Sequence, residues 1–82
     1  MSNISHKQIL RKFYGNTCIY CGDRYAKKTI DHILPISRFK EYTGDLHNKV
    51  LSCTLCNIMK HNLTPIEFLN QIKRIANRFK VA

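Results

Sequence analysis

Two Cys-x-x-Cys pairs in an 82-residue chain, Cys18/Cys21 and Cys53/Cys56, constrain its fold more than any other feature. A body this small buries too little apolar surface for more than a few kcal/mol of net stability, so a covalent or metal staple is expected. Each pair puts two sulfurs within reach of one ion, and two pairs complete a tetrahedral set of four thiolates around a single structural Zn²⁺. Two disulfides or two redox-active pairs would use the same residues. Met1 to Lys7 lacks the apolar middle region of a secretory leader, and no run approaches the roughly 20 apolar residues that cross a bilayer. The expected setting is therefore soluble, intracellular and cytoplasmic, with no membrane partner, where disulfides are disfavoured. Two intact pairs in so short a chain also disfavour redox use. A closed set of four sulfurs leaves no position for a water ligand, so any chemistry must come from elsewhere in the chain.

Charge narrows the class of partner. Fourteen Lys and Arg against five Asp and Glu give +9 with neutral His, and about +7 remains once four thiolates and one Zn²⁺ are counted. Such an excess on a small body repels itself unless a polyanion is near, and it favours phosphate contacts through counterion release. A merely solubilising surface is the competing account. Nucleic acid is the expected partner; monomer and homodimer are both compatible with the pattern.

The local signals predict an α+β domain over 1–82. Ser5-His6-Lys7-Gln8 forms a capping box ahead of Ile9, Leu10 and Phe13, and Gly15 stops the helix, which gives an N-terminal helix over about 5–14. Cys18 to Gly22 reads as a tight turn. Thr29 to Leu34, rich in β-branched and apolar residues and ended by Pro35, predicts a strand. Arg38 to His47 is polar and reads as a loop. Asn48 to Ser52 predicts a second strand, and Thr54 to His61 a helix that starts beside Cys53. The zinc-stapled core would thus run over about 18–62. Thr64-Pro65-Ile66-Glu67 is a second capping box with Pro at the first helical position. Phe68, Leu69, Ile72, Ile75, Ala76 and Phe79 then recur at helical spacing, so an amphipathic C-terminal helix covers about 65–79, with Lys73, Arg74, Arg78 and Lys80 supplying charge.

Thirty-one residues separate Cys21 from Cys53, more than the commonest two-knuckle zinc spacing. This insertion holds Asp31-His32 and Asn48, and Asn57 follows Cys56 directly. Oxygen donors such as Asp31 and the Asn57 carboxamide suit a hard ion, Mg²⁺ or Mn²⁺. An imidazole such as His32 is the side chain whose ordinary titration range matches proton abstraction from water near neutral pH. Cys53, Asn57 and Lys60 share one helix face, and His61, four residues after Asn57, is a rival ligand. Arg38, Lys40 and Lys60 flank the group and could bind phosphates, with solvated loop charge as the alternative. A regular strand sends the Asp31 and His32 side chains to opposite faces, so both serve one site only if the strand ends or bulges there.

The segments CIYC, DHILPIS, NKVLSC and CNIMK together resemble the HNH endonuclease family, over Cys18 to about Leu69. The resemblance implies a ββα-metal (His-Me finger) fold: two antiparallel strands carrying Asp31-His32 and Asn48, packed on a helix carrying Asn57. It implies Asp31 and Asn57 as ligands of one catalytic divalent cation and His32 as general base. Asn48 would hold the loop and orient His32. The implied reaction is hydrolysis of DNA phosphodiester bonds, by nicking or double-strand cleavage. A zinc-knuckle domain that binds nucleic acid without cutting it is the alternative, and a protein-interaction module is a third.

Overall fold

The computed structural model describes residues 4–80, in the order α1 (His6–Tyr14), β1 (Lys28–His32), β2 (Lys49–Cys53), α2 (Thr54–Lys60) and α3 (Pro65–Arg78). Two short 3₁₀ turns, Lys40–Tyr42 and Leu46–Asn48, break up the stretch expected to be plain loop. The architecture is α+β, three helices around one two-stranded antiparallel sheet.

Local chemistry explains the helix ends. At α1, the Gln8 backbone N–H donates to Ser5 Oγ and the Ser5 N–H donates to Gln8 Oε1, which satisfies two donors that a helix start leaves open. Gly15 closes the helix at φ 70°, a left-handed value that a side chain disfavours. Thr64 and Glu67 repeat the reciprocal cap at α3 behind Pro65. At α2 the cap is a ligand candidate, since Cys53 Sγ accepts from the Cys56 N–H at 3.4 Å.

The sheet runs Lys28 opposite Cys53 through His32 opposite Lys49, residue for residue and with no bulge. β1 ends at His32, two residues short of the expected Leu34. The cause is Asn48. Its Oδ1 accepts from the Leu34 N–H at 2.8 Å, its Nδ2 donates to the Leu34 carbonyl at 3.0 Å, and its own carbonyl accepts from the Ile33 N–H at 2.8 Å. The Ile33 bond carries the ladder one step further, and the two side-chain bonds then hold Leu34 off the strand path.

The apolar core is small: Leu10, Val50, Leu51 and Phe68 are buried together with Cys18, Cys53 and Cys56. The turn after Cys18 docks on β2 through the Ile19 N–H, which donates to the Leu51 carbonyl at 2.9 Å. Phe68 fixes α3 to that turn, its ring meeting the Tyr20 ring edge-on at 5.5 Å and 86°. Among the described residues no helix is long and apolar enough to cross a membrane.

Candidate functional site

Cys18 and Cys21 lie on the turn before β1, Cys53 ends β2 and Cys56 lies in the first turn of α2. Folding brings the four together, with all four Sγ atoms within 4.8 Å of one another. The Cys21 and Cys53 sulfurs are 3.8 Å apart, too far for a disulfide. Zn–S bonds of about 2.3 Å give a tetrahedron with edges of about 3.8 Å, the Cys21–Cys53 separation, so four sulfurs gathered this closely suit one Zn²⁺. Burial pushes the Cys18 thiol up, but the backbone N–H groups of Cys21, Cys53 and Tyr20 outweigh it and bring that thiol down to about 6. Burial and the neighbouring sulfurs hold Cys56 high. A divalent cation is what would draw all four into the thiolate form.

At the other end of β1 an open cleft of about 260 Å³ is lined by Ile30, Asp31, His32 and Asn57, with His61 and Asn62 beyond α2. Asp31 and His32 both line it, although they are consecutive residues of a strand paired without a bulge, and His32 is the last residue of that strand. α2 crosses β1 as a two-rung ladder. Thr29 Oγ1 accepts from Asn57 Nδ2 at 3.0 Å, and Asp31 Oδ2 lies 3.3 Å from Lys60 Nζ. The spacings match, residues two apart on the strand meeting residues three apart on the helix. The first rung leaves Asn57 Oδ1 without a donor among the described residues.

Asp31 is 6% exposed and holds its partners through one oxygen. Oδ2 also accepts from the Tyr20 hydroxyl at 2.6 Å, while Oδ1 takes no hydrogen bond among the described residues. Burial, then the Asp31 bond, raises the Tyr20 phenol so that it stays a donor. Oδ1 of Asp31 and the side-chain oxygen of Asn57 are therefore two oxygen donors on one cleft, the ligand chemistry a hard divalent ion takes, with the His32 and His61 imidazoles beside them. His61 follows α2 with φ 50° and is exposed, so it shares the cleft wall with Asn57. Asn48 does not share it. Both of its amide atoms are spent on Leu34, which makes it a residue that positions the backbone after His32.

The three expected phosphate contacts divide. Lys60 requires correction: it is 0% exposed, its Nζ donates to the His32 carbonyl at 2.8 Å, and it sits 5.9 Å from the Tyr20 ring centre. An ammonium so enclosed cannot meet a phosphate. Arg38 stays exposed but is engaged, its Nη1 lying 2.5 Å from Glu67 Oε1 and 3.2 Å from the Asn62 carbonyl. Lys40 is exposed on the first 3₁₀ turn, and neither it nor Arg38 lines the cleft. His47 is exposed, and His6 on α1 is half-buried with Nδ1 2.7 Å from Lys49 Nζ. Tyr20 and Thr29 are site residues that sequence reasoning missed. Their only sequence signals were a polar aromatic between two ligand cysteines and a hydroxyl two residues before Asp31.

Known proteins resemble this chain. A protein of Acanthamoeba polyphaga mimivirus, itself uncharacterized, is 38% identical over 74 residues, covering 90% of this chain and 13% of its own length. Protein ea31 of Escherichia phage lambda is 43% identical over 44 residues, 54% of this chain and 15% of that protein. The chain thus spans less than a sixth of either relative. No solved structure matches it. The model of the HNH endonuclease family matches residues 18–63, from the first cysteine of the sulfur cluster to the end of the segment after α2. With the cysteine cluster and the cleft residues both inside that match, the chain belongs to the HNH endonuclease family.

Proposed function

We propose that the protein is a metal-dependent endonuclease that hydrolyses DNA phosphodiester bonds, with one structural Zn²⁺ on Cys18, Cys21, Cys53 and Cys56. The observation that carries this reading is the convergence of Asp31, His32 and Asn57 on one open cleft. Asp31 and Asn57, with His61 as a rival to Asn57, would hold one Mg²⁺ or Mn²⁺. Such an ion supplies Lewis-acid stabilisation of the charge that develops on the phosphate and the leaving oxygen.

The protein residues have separable tasks. His32 takes a proton from the attacking water as general base. Its place at the strand end, with its carbonyl held by Lys60 and the next two residues held by Asn48, limits how far the imidazole can stray. Thr29 fixes the Asn57 amide so that oxygen, not nitrogen, is offered to the cleft. Arg38 and Lys40 bring positive charge to the loop beyond the cleft and would bind the flanking phosphates.

A plasmid-nicking assay in Mg²⁺ or Mn²⁺ tests the reading. His32→Ala is expected to lower cleavage by at least about a hundredfold, the usual worth of a general base, with zinc content and melting nearly unchanged. Absence of His32-dependent cleavage under every divalent ion, with salt-dependent DNA binding intact, would establish the non-catalytic binding module in its place. Zinc loss in His32→Ala would show that the inner site is misassigned.

A further inference from the structure

The proposed mechanism leaves the buried Lys60 without a task in the chemistry. Lys60 is the ion-pair partner of Asp31 and is held in place by the His32 carbonyl and the Tyr20 ring. We propose that Lys60 is a resident counter-ion that sets how tightly the cleft binds its divalent cation; this rests on the reading of Asp31 as a ligand of that ion.

The argument begins with burial. A carboxylate that is 6% exposed is costly to keep charged unless a cation or several donors face it. Asp31 has both, the Lys60 ammonium and the Tyr20 hydroxyl, and both act on Oδ2. One oxygen is thereby anchored and the other is presented to the cleft. The pair is also electrically neutral before any metal arrives. A divalent ion that approaches Oδ1 therefore meets a site with no net negative charge, and it meets repulsion from an ammonium that has no route to solvent. Coulomb interactions over a few ångströms in a partly buried site are large compared with RT, so this repulsion weakens ion binding substantially. Lys60 thus assembles the cleft in the absence of metal and makes occupancy depend on further negative ligands. The phosphate of a bound nucleic acid is the ligand that restores the missing charge. The ion and the DNA should then bind cooperatively, each improving the affinity of the other by the same factor.

The alternative task for Lys60 is purely structural, and the two differ in the sign of one measurement. Removal of a structural lysine would loosen Asp31 and weaken metal binding, whereas removal of a competing cation strengthens it. The test is a titration of the zinc-loaded protein with Mn²⁺, free ion being followed by its electron paramagnetic resonance signal, without DNA. Lys60→Met is expected to lower the Mn²⁺ dissociation constant at least about tenfold. Lys60→Arg, which keeps the charge, should stay near wild type, and Tyr20→Phe, which removes a neutral donor, should change the constant less than about threefold. Unchanged or weaker Mn²⁺ binding in Lys60→Met overturns the proposal. Should Lys60→Met be unfolded without the ion, added Mn²⁺ must fold it, as followed by circular dichroism; failure to fold at saturating Mn²⁺ likewise overturns it. Asp31→Asn separates this from the parent reading. If wild type binds no Mn²⁺ through Asp31, the ligand assignment falls and this inference with it. Asp31-dependent binding that ignores Lys60→Met sinks the counter-ion role alone.

Discussion

Replacing Asn48 with alanine probes the device that ends β1 where the site needs it to end. Asn48 is 6% exposed, and its amide makes two hydrogen bonds, at 2.8 and 3.0 Å, to the backbone N–H and C=O of one residue, Leu34. The methyl of alanine satisfies neither. Each polar group left without a partner in a half-buried position costs about 1–3 kcal/mol, and partial access of water to Leu34 keeps the sum at about 2–4 kcal/mol. In a domain of this size that lowers the melting temperature on the order of 10–25 °C. Urea unfolding of zinc-saturated protein measures the loss, with Asn70→Ala on the exposed surface of α3 as the control, expected within about 0.5 kcal/mol of wild type. Cleavage assayed well below the melting transition should also fall, because His32 then borders a segment free to continue as strand. A loss below about 0.5 kcal/mol for Asn48→Ala would refute the reasoning, since it would mean that the Ile33–Leu34 turn stands without the clamp.

Two further outcomes test the staple and the loop. Cys53→Ala, or removal of zinc by a chelator, should unfold the domain, because structural Zn²⁺ contributes on the order of 10 kcal/mol to folds of this kind; a chelated protein with unchanged circular dichroism would contradict it. Arg38 draws the Glu67 carboxyl down to about 2 from its ordinary 4.5, so the stabilisation from this group is complete above pH 4.5 and is lost as pH falls toward 2. The urea midpoints of wild type and Glu67→Gln should therefore differ at neutral pH and converge between pH 4.5 and 2, a comparison in which the acid lability of the sulfur cluster cancels; curves that stay parallel would remove the pair from the account.

What was legible in the sequence was whatever short-range chemistry dictates. α1 and α3 start at capping boxes written in four consecutive residues, and α1 ends at a glycine, so their limits follow from local pattern. The cysteine spacing gave the sulfur cluster for the same reason, since few geometries serve two Cys-x-x-Cys pairs in one small body. Less of the inner site was open to such reading. The early end of β1 depends on a side chain fourteen residues away, and the enclosure of Lys60, expected as a phosphate contact, runs against the rule that lysine is almost never buried. Its burial follows from Asp31 on β1, against which α2 packs, and no local pattern announces that pairing. The Arg38–Glu67 contact was hidden similarly, because Glu67 already had a complete role in the α3 cap.

β1 carries a consequence for which changes in length the domain can absorb. One end of this five-residue strand is paired with Cys53 of the sulfur cluster and the other is His32 at the cleft. An inserted or deleted residue between Lys28 and His32 would shift the imidazole by about 3.3 Å and exchange the faces of Thr29 and Asp31, breaking both rungs to α2. The stretch from Glu41 to Gly44 has no such duty, as it lines no part of the cleft and only returns the chain toward Asn48. Variation in length among natural or engineered versions of this domain should therefore collect in that segment and be missing from the strand.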